Sequence, residues 1–200
     1  LPIATEADKI KGSKILFDAH EYSLGQRRDF FYRLYSYPII RYCLQEYLPK
    51  TDAFVTVGPI IGKRYHDEFG ISPCIIRNAP DYCHIDLHPM SSSKINIVHH
   101  GVASPRRHLE GTIQAIGLSD KKFHLHLMLV QKDPAHLKKL KKMARDVAPN
   151  RIHFHEAVPP SQIVSRISEY DLGICVFPPV TYNLFMTLPN KFFDFIQAGL

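Results

Sequence analysis

The chain has 200 residues, 45% hydrophobic and 22% charged, the composition of a globular protein large enough to bury a core. No run of about 18 uncharged apolar residues occurs, which excludes a membrane-spanning helix. Net charge is 25 − 19 = +6, and twelve histidines add to it in acid, an excess that favours anionic partners such as nucleotides, sugar phosphates or an anionic membrane surface.

In chain order, strands and helices alternate. Residues 14–18 form a short apolar run that predicts a buried strand. Residues 27–48 predict a helix, broken where Pro38 removes a donor. A β-branched strand follows at 53–57, then a helix at 60–69 stopped by Gly70, then a strand at 74–77. Residues 78–93 hold prolines and three consecutive serines without periodicity, which predicts a linker and hinge. The pattern restarts with a strand at 95–98, a helix at 106–116, a strand at 123–130 and a helix at 134–147. It ends with a strand at 152–155, a helix at 161–170, a strand at 172–177 and a helix from Pro189. Two such blocks predict parallel sheets in two Rossmann-like lobes, 1–88 and 89–200. Ligands in these folds lie beyond the carboxyl ends of the strands. The chain opens without Met or a signal-peptide pattern and stops inside an amphipathic stretch, so it is read as an internal piece of a longer protein, lacking both ends. Cys43, Cys74, Cys83 and Cys175 show no paired spacing, the usage of a reduced compartment.

Three clusters carry candidate chemistry. After the strand at 95–98 comes Gly101, then Ser104 as a cap, Pro105 at the first helical position, and Arg106 and Arg107. This reads either as an anion site on helix amides and guanidiniums or as a capped helix with two solvated arginines. Near the end, Asn190, Lys191 and Asp194 follow Pro189. Lys191 and Asp194 share a helix face, either as a phosphate cation beside a hydroxyl-binding carboxylate or as a surface salt bridge. Asp18, His20 and Glu21 end the first strand, either as a proton-handling set or as a loop network.

Other patterns read as structural. Cys83, His84 and His88 lack a second cluster at zinc spacing, so no metal site is expected. His124, His126, His153 and His155 alternate along strands near their starts, away from the ligand end. The basic aromatic stretch from Arg27, through Arg28 and Arg33, to Tyr47 reads as a core helix, with an anionic membrane surface as the other option. The lysines at 138–142 are a solvated face. No nucleic-acid pattern is present.

The residues at 17–21, 51–57 and 75–81, then 101–110, 170–174 and 188–200, resemble in order the retaining glycosyltransferases of family four. That family has the GT-B fold, two facing Rossmann-like lobes, of which this chain would hold part of each. The resemblance implies transfer of a sugar from a nucleotide-sugar to a glycan, lipid-linked or small-molecule acceptor with retained configuration. No cofactor or metal is implied. By resemblance, residues 1–88 are the acceptor-side lobe, and His20 and Glu21 are its catalytic residues. Residues 89–200 are the donor lobe, where Gly101, Arg107 and Lys191 take the diphosphate, and Asp194 and Asn190 the ribose and sugar. The pattern departs from the family at Val102, His108, Gln131 and Met186, and Asp194 replaces a glutamate. The expected location is the cytoplasm, with peripheral contact at the inner membrane face. The alternatives are a nucleotide-sugar epimerase of the same fold and a non-catalytic binding or scaffold relative.

Overall fold

A computed structural model describes residues 1–27, 29–86, 93–186 and 188–200, and Arg106 by its backbone alone. Two compact units divide the chain: Leu1–Asn78 with Pro179–Leu188, and Ala79–Pro178 with Pro189–Leu200. Both contain an all-parallel sheet, the expected α/β class.

In the first unit, α1 (Pro2–Lys11) is closed by Gly12 at φ 62. The sheet follows in the order β1 (Leu16–Ala19), β2 (Ala53–Thr56), β3 (Cys74–Ile75). Phe17 pairs with Phe54 across β1 and β2, and their rings stack at 5.2 Å. The fully buried Tyr65 meets Phe54 edge-on from α3 (Pro59–Phe69), which starts at a proline and ends on Gly70 at φ 72. The expected break at Pro38 takes another form. The helix widens into a π turn over Tyr32–Ser36, where the Tyr37 N–H donates to the Tyr32 carbonyl, and continues as α2 (Tyr37–Tyr47). The wider turn absorbs a proline that would clash with an ordinary one.

The core reading of this stretch needs correction. Tyr32 and Leu44 are buried, but Phe30, Phe31, Leu34, Tyr35, Ile39 and Tyr42 are all more than half exposed, and Arg27 and Arg33 point to solvent with them. Arg28 lies outside the described residues. The segment expected to be featureless before Pro189 holds a short helix, Tyr182–Phe185; Thr181 caps it by accepting the Leu184 N–H at 3.2 Å.

The second unit has four strands in the order β6 (Ile152–Glu156), β5 (Phe123–Val130), β4 (Ile95–Val102), β7 (Leu172–Gly173). Along one face runs a helix at Leu109–Leu118 and another at Pro134–Val147; the latter is capped by Asp133, which accepts the His136 N–H at 3.0 Å. Leu109, Ile113, Leu125, Leu127 and Leu140 form the core there, essentially without exposure. The other face packs Val98, Met128 and Ile167 against Phe195, carried by the last helix, Asn190–Gln197.

Several boundaries differ from the sequence reading. β4 runs four residues past Val98 because it pairs with β5 as far as Val102. β7 stops at Gly173 because the next carbonyl, Ile174, receives the His99 Nδ1–H at 2.9 Å. The expected helix start at Ser104 is instead a 3-10 turn over Pro105–Arg107, and the helix begins after His108, which sits at φ 49. The expected helix at 161–170 shortens to Ile163–Ile167 after a 3-10 turn. Part of the expected hinge is packed: Cys83 and Ile85 lie against the Phe195 core, and Gln197 Nε2 donates to the Cys83 carbonyl at 2.6 Å. Residues 87–92 of that segment, His88 among them, lie outside the described residues.

The alternating histidines make a polar ladder across β5 and β6. Its hydrogen-bond direction is fixed at one end, because the Asp171 carboxylate can only accept, from the Asn96 N–H at 2.6 Å and from Asn96 Nδ2 at 3.3 Å. Asn96 Oδ1 therefore accepts from His126 Nε2 at 3.2 Å, and His126 Nδ1 accepts from His155 Nε2 at 2.9 Å. His124 and His153 approach at 3.4 Å beside them.

Burial, followed by the neighbouring imidazoles His153 and His155, pushes His126 down to about 3, and burial also lowers His124, His153 and His155. Unfolded imidazoles bind protons near pH 6.5, so the unfolded state gains protons first as pH falls. Stability is therefore complete above about pH 6.5 and declines from there toward about pH 3. Denaturant melts followed by circular dichroism from pH 7 downward should show this loss, and His126→Gln should make it shallower without abolishing it, since other buried histidines contribute over the same range; a slope unchanged by His126→Gln would refute the ladder's role.

Candidate functional site

In the second unit, the carboxyl end of β4 meets the first turn of the helix Asn190–Gln197. Gly101 takes φ +128, a conformation L side chains rarely adopt, and a Cβ there would lie 2.8 Å from both Cε and Nζ of Lys191. The lysine stem thus lies directly over the glycine Cα. Burial, then the Arg107 charge, pull the Lys191 ammonium below its usual range. Arg107 follows on the 3-10 turn, its guanidinium carbon 5.2 Å from the centre of the Phe177 ring.

Among the described residues, neither Lys191 nor Arg107 forms a salt bridge. Asp194 is mostly buried and its carboxyl is raised by that burial, against the opposing pull of Lys191. Its Oδ2 lies 3.4 Å from His100 Nε2 rather than on Lys191, so the surface salt-bridge reading does not hold. A cation in the first turn of a helix also opposes the helix dipole. Two cations, one of them desolvated, together with a helix N-terminus make a positive cluster that an anion would relieve.

Two histidines missed by the sequence reading complete the cluster. His99 and His100 are 4% and 5% exposed, and each is pushed down to about 4, by burial first and then by Lys191. Both are neutral at pH 7. Because His99 donates from Nδ1 to the Ile174 carbonyl, its Nε2 is a bare acceptor, and that atom has no hydrogen-bond partner. The signal was present as two histidines immediately before a glycine, but it was obscured by ending the strand at Val98. Asn190 is exposed at the head of its helix and caps nothing with its side chain.

In the first unit, His20 and Glu21 leave the carboxyl end of β1. Thr56 Oγ1 donates to the Ala19 carbonyl at 2.6 Å, which fixes where the strand ends. The buried Tyr65 hydroxyl then accepts the Ser23 N–H at 3.0 Å and donates to the Glu21 carbonyl at 3.3 Å. His20 is exposed, with Nε2 3.1 Å from Asp18 Oδ2. Glu21 Oε2 accepts from Asn183 Nδ2 at 3.2 Å, a partner in a segment read as loop. Of the sequence candidates, Gly101, Arg107, Lys191 and Asp194 come together in one unit, and His20 and Glu21 in the other. Among the described residues no group of three or more histidine, cysteine or acidic side chains could hold a metal ion.

A methyl at Gly101 would strain the backbone and push the flexible end of Lys191 aside. Pyrophosphate should bind roughly 10- to 150-fold more weakly to Lys191→Ala, and Gly101→Ala should weaken it by less. Titration calorimetry with inorganic pyrophosphate reads this directly; wild-type affinity in Lys191→Ala would remove the lysine from the site.

No protein-family model matches the chain, and no curated protein sequence matches it. Solved structures do. A point mutant of TarM from S. aureus, in complex with Fondaparinux, alpha-GlcNAc-glycerol and UDP, superposes with a TM-score of 0.61 at 13% identity, over 82% of this chain and 32% of that one. A second TarM structure gives 0.53 at 14% identity, over 79% and 31%. The chain therefore spans about a third of the length of these proteins. At such identities the likeness establishes the fold: a glycosyltransferase-like, GT-B-type α/β architecture with Rossmann-like parallel sheets.

Proposed function

We propose that the chain belongs to a retaining glycosyltransferase of the family-four type, which moves a sugar from a nucleotide-sugar to a glycan or lipid-linked acceptor. The observation that carries this reading is the pair of cations, Lys191 seated on Gly101 and Arg107 beside it, neither in a salt bridge among the described residues. The unit holding them takes the donor, and Asp194 and Asn190 bind the ribose and sugar. The unit holding His20 and Glu21 serves the transferred sugar and the acceptor. That TarM binds UDP supports a nucleotide guest.

The chemistry follows from where charge grows. As the anomeric carbon–oxygen bond breaks, negative charge builds on the departing diphosphate, and preorganised cations in a partly dry site stabilise that change more than they stabilise bound donor. An acceptor hydroxyl attacks the anomeric carbon from the face the diphosphate leaves. Its proton passes to the departing phosphate oxygen, and configuration is retained without an enzymic nucleophile. The two cations do the work a divalent metal performs elsewhere. We place the reaction in the cytoplasm; no helix among the described residues is long and apolar enough to cross a membrane.

The helix bearing Phe30, Phe31, Leu34, Tyr35 and Tyr42 supports a peripheral contact as well. An exposed aromatic face flanked by Arg27 and Arg33 fits an anionic lipid surface. Liposomes rich in phosphatidylglycerol should co-sediment the protein, and Arg27→Glu with Arg33→Glu should release it. Unchanged sedimentation would remove the membrane from the reading.

Incubation of the full-length protein with radiolabelled UDP-, GDP- and TDP-sugars separates transfer from isomerisation and from binding alone. Arg107→Ala should weaken free nucleoside diphosphate and nucleotide-sugar equally, by about 10- to 150-fold, because the lost contact is to phosphate. Arg106→Ala should weaken neither comparably, since the resemblance assigns the diphosphate contact to Arg107. Wild-type diphosphate binding by Arg107→Ala would overturn the donor site.

A further inference from the structure

We propose that Asn183 is a positioning residue that holds Glu21, and the backbone of Tyr22 beside it, in the geometry used for sugar transfer. The inference rests on the reading above that Glu21 serves the transfer.

The contact uses both ends of the amide. Asn183 Oδ1 accepts the Tyr22 N–H at 3.0 Å, and Nδ2 donates to the Tyr22 carbonyl at 3.0 Å and to Glu21 Oε2 at 3.2 Å. One side chain thus grips both backbone groups of one residue and the carboxylate of its neighbour, 161 and 162 positions away in the chain. Asn183 is 7% exposed. A buried amide held at both ends by one residue's backbone N–H and carbonyl has one orientation, and its remaining hydrogen transmits that orientation to the carboxylate. Glu21 is itself exposed, so without this bond its rotamers are free to interchange.

The surroundings keep the amide in place. Tyr182 packs edge-on against Tyr22 at 5.5 Å, and the Arg64 guanidinium lies over both rings, at 5.5 and 5.7 Å. Gly25 leaves the room: a Cβ there would stand 2.8 Å from Asn183 Oδ1 and 3.0 Å from Tyr182. The segment Pro179–Leu188 packs with the first unit although the chain on both sides of it belongs to the second. It then runs directly into the helix that carries Lys191. The peptide that orients Glu21 is continuous with the one that presents the donor cation.

The test separates positioning from mere folding. In the full-length enzyme, with whichever radiolabelled UDP-, GDP- or TDP-sugar gives turnover, Asn183→Ala should lower kcat by about 10- to 100-fold and leave donor KM within about threefold. In a Glu21→Ala background the same change should cost nothing further, because there is no carboxylate left to orient. Amide exchange supplies a second readout: in Asn183→Ala the Tyr22 N–H should lose protection while those of Ala53–Thr56 keep theirs. Should Asn183→Ala fail to fold, Asn183→Asp keeps the size and the acceptor for the Tyr22 N–H but removes both donors and sets a charge against Glu21, and the same pattern is expected. Equal losses in both backgrounds, or unchanged kcat in Asn183→Ala, would overturn the positioning role. Full turnover in Glu21→Ala, or no turnover by the parent enzyme with any of these donors, would instead overturn the reading on which it rests.

Discussion

The close approach of Lys191 to the Cα of Gly101 is the constraint from which the site in the second unit follows. It needs a residue without a side chain, at a φ of +128, on the last turn of a strand that would otherwise be built from branched residues. Seated there, the ammonium loses water and gains Arg107 as a neighbour, and both effects lower its proton affinity. The two cations differ in kind: Arg107, backed by the Phe177 ring, presents a planar fork of donors, while Lys191 is a compact point charge.

Neutral histidines are the natural companions of such a cluster. An imidazolium at position 99 or 100 would add a third buried positive charge, and burial next to Lys191 keeps both rings neutral. Neutral rings can still hydrogen-bond, and His99 spends one nitrogen on the Ile174 carbonyl, which is why β7 ends so early. The same principle governs the ladder at the other end of β5 and β6. There the Asp171 carboxylate sets the direction of a chain of bonds through Asn96 and His126 to His155. One unit thus uses uncharged imidazoles twice, once beside a buried cation and once to knit strands.

Much of this was legible in the sequence where local chemistry decides the structure. The strand Phe123–Val130 and the helix Pro134–Val147 appear at their expected bounds, because alternating apolar residues and an Asp-Pro cap leave few alternatives. Legibility failed where a tertiary contact overrode a local signal. Ser104 and Pro105 have the chemistry of a helix start, yet the backbone uses them for a 3-10 turn and begins the helix only after His108, at a positive φ that no pattern announces. The exposed aromatic face of 30–42 looked like core because periodicity reports that a face is apolar and not what covers it. Gly101, Arg107, Lys191 and Asp194 could be named from spacing and resemblance. Asn183 could not, since its partners are more than 160 residues away.

That distance has a physical meaning for how the chain is organised. The segment Pro179–Leu188 is an excursion: the chain leaves the second unit, contributes Tyr182 and Asn183 to the first, and returns to form the helix with Lys191. Such an excursion closes a long loop, which costs conformational entropy that a flexible polar stretch would not recover. Three hydrogen bonds from a buried amide, an aromatic edge contact and a guanidinium over two rings are what recover it. These contacts are concentrated on Glu21 and Tyr22 rather than spread along a surface. A segment that only joined a strand to the next helix would need none of this specificity. Its hydrogen bonds converge on one carboxylate and on both backbone groups of the next residue, and the chain then continues directly into the helix that carries Lys191.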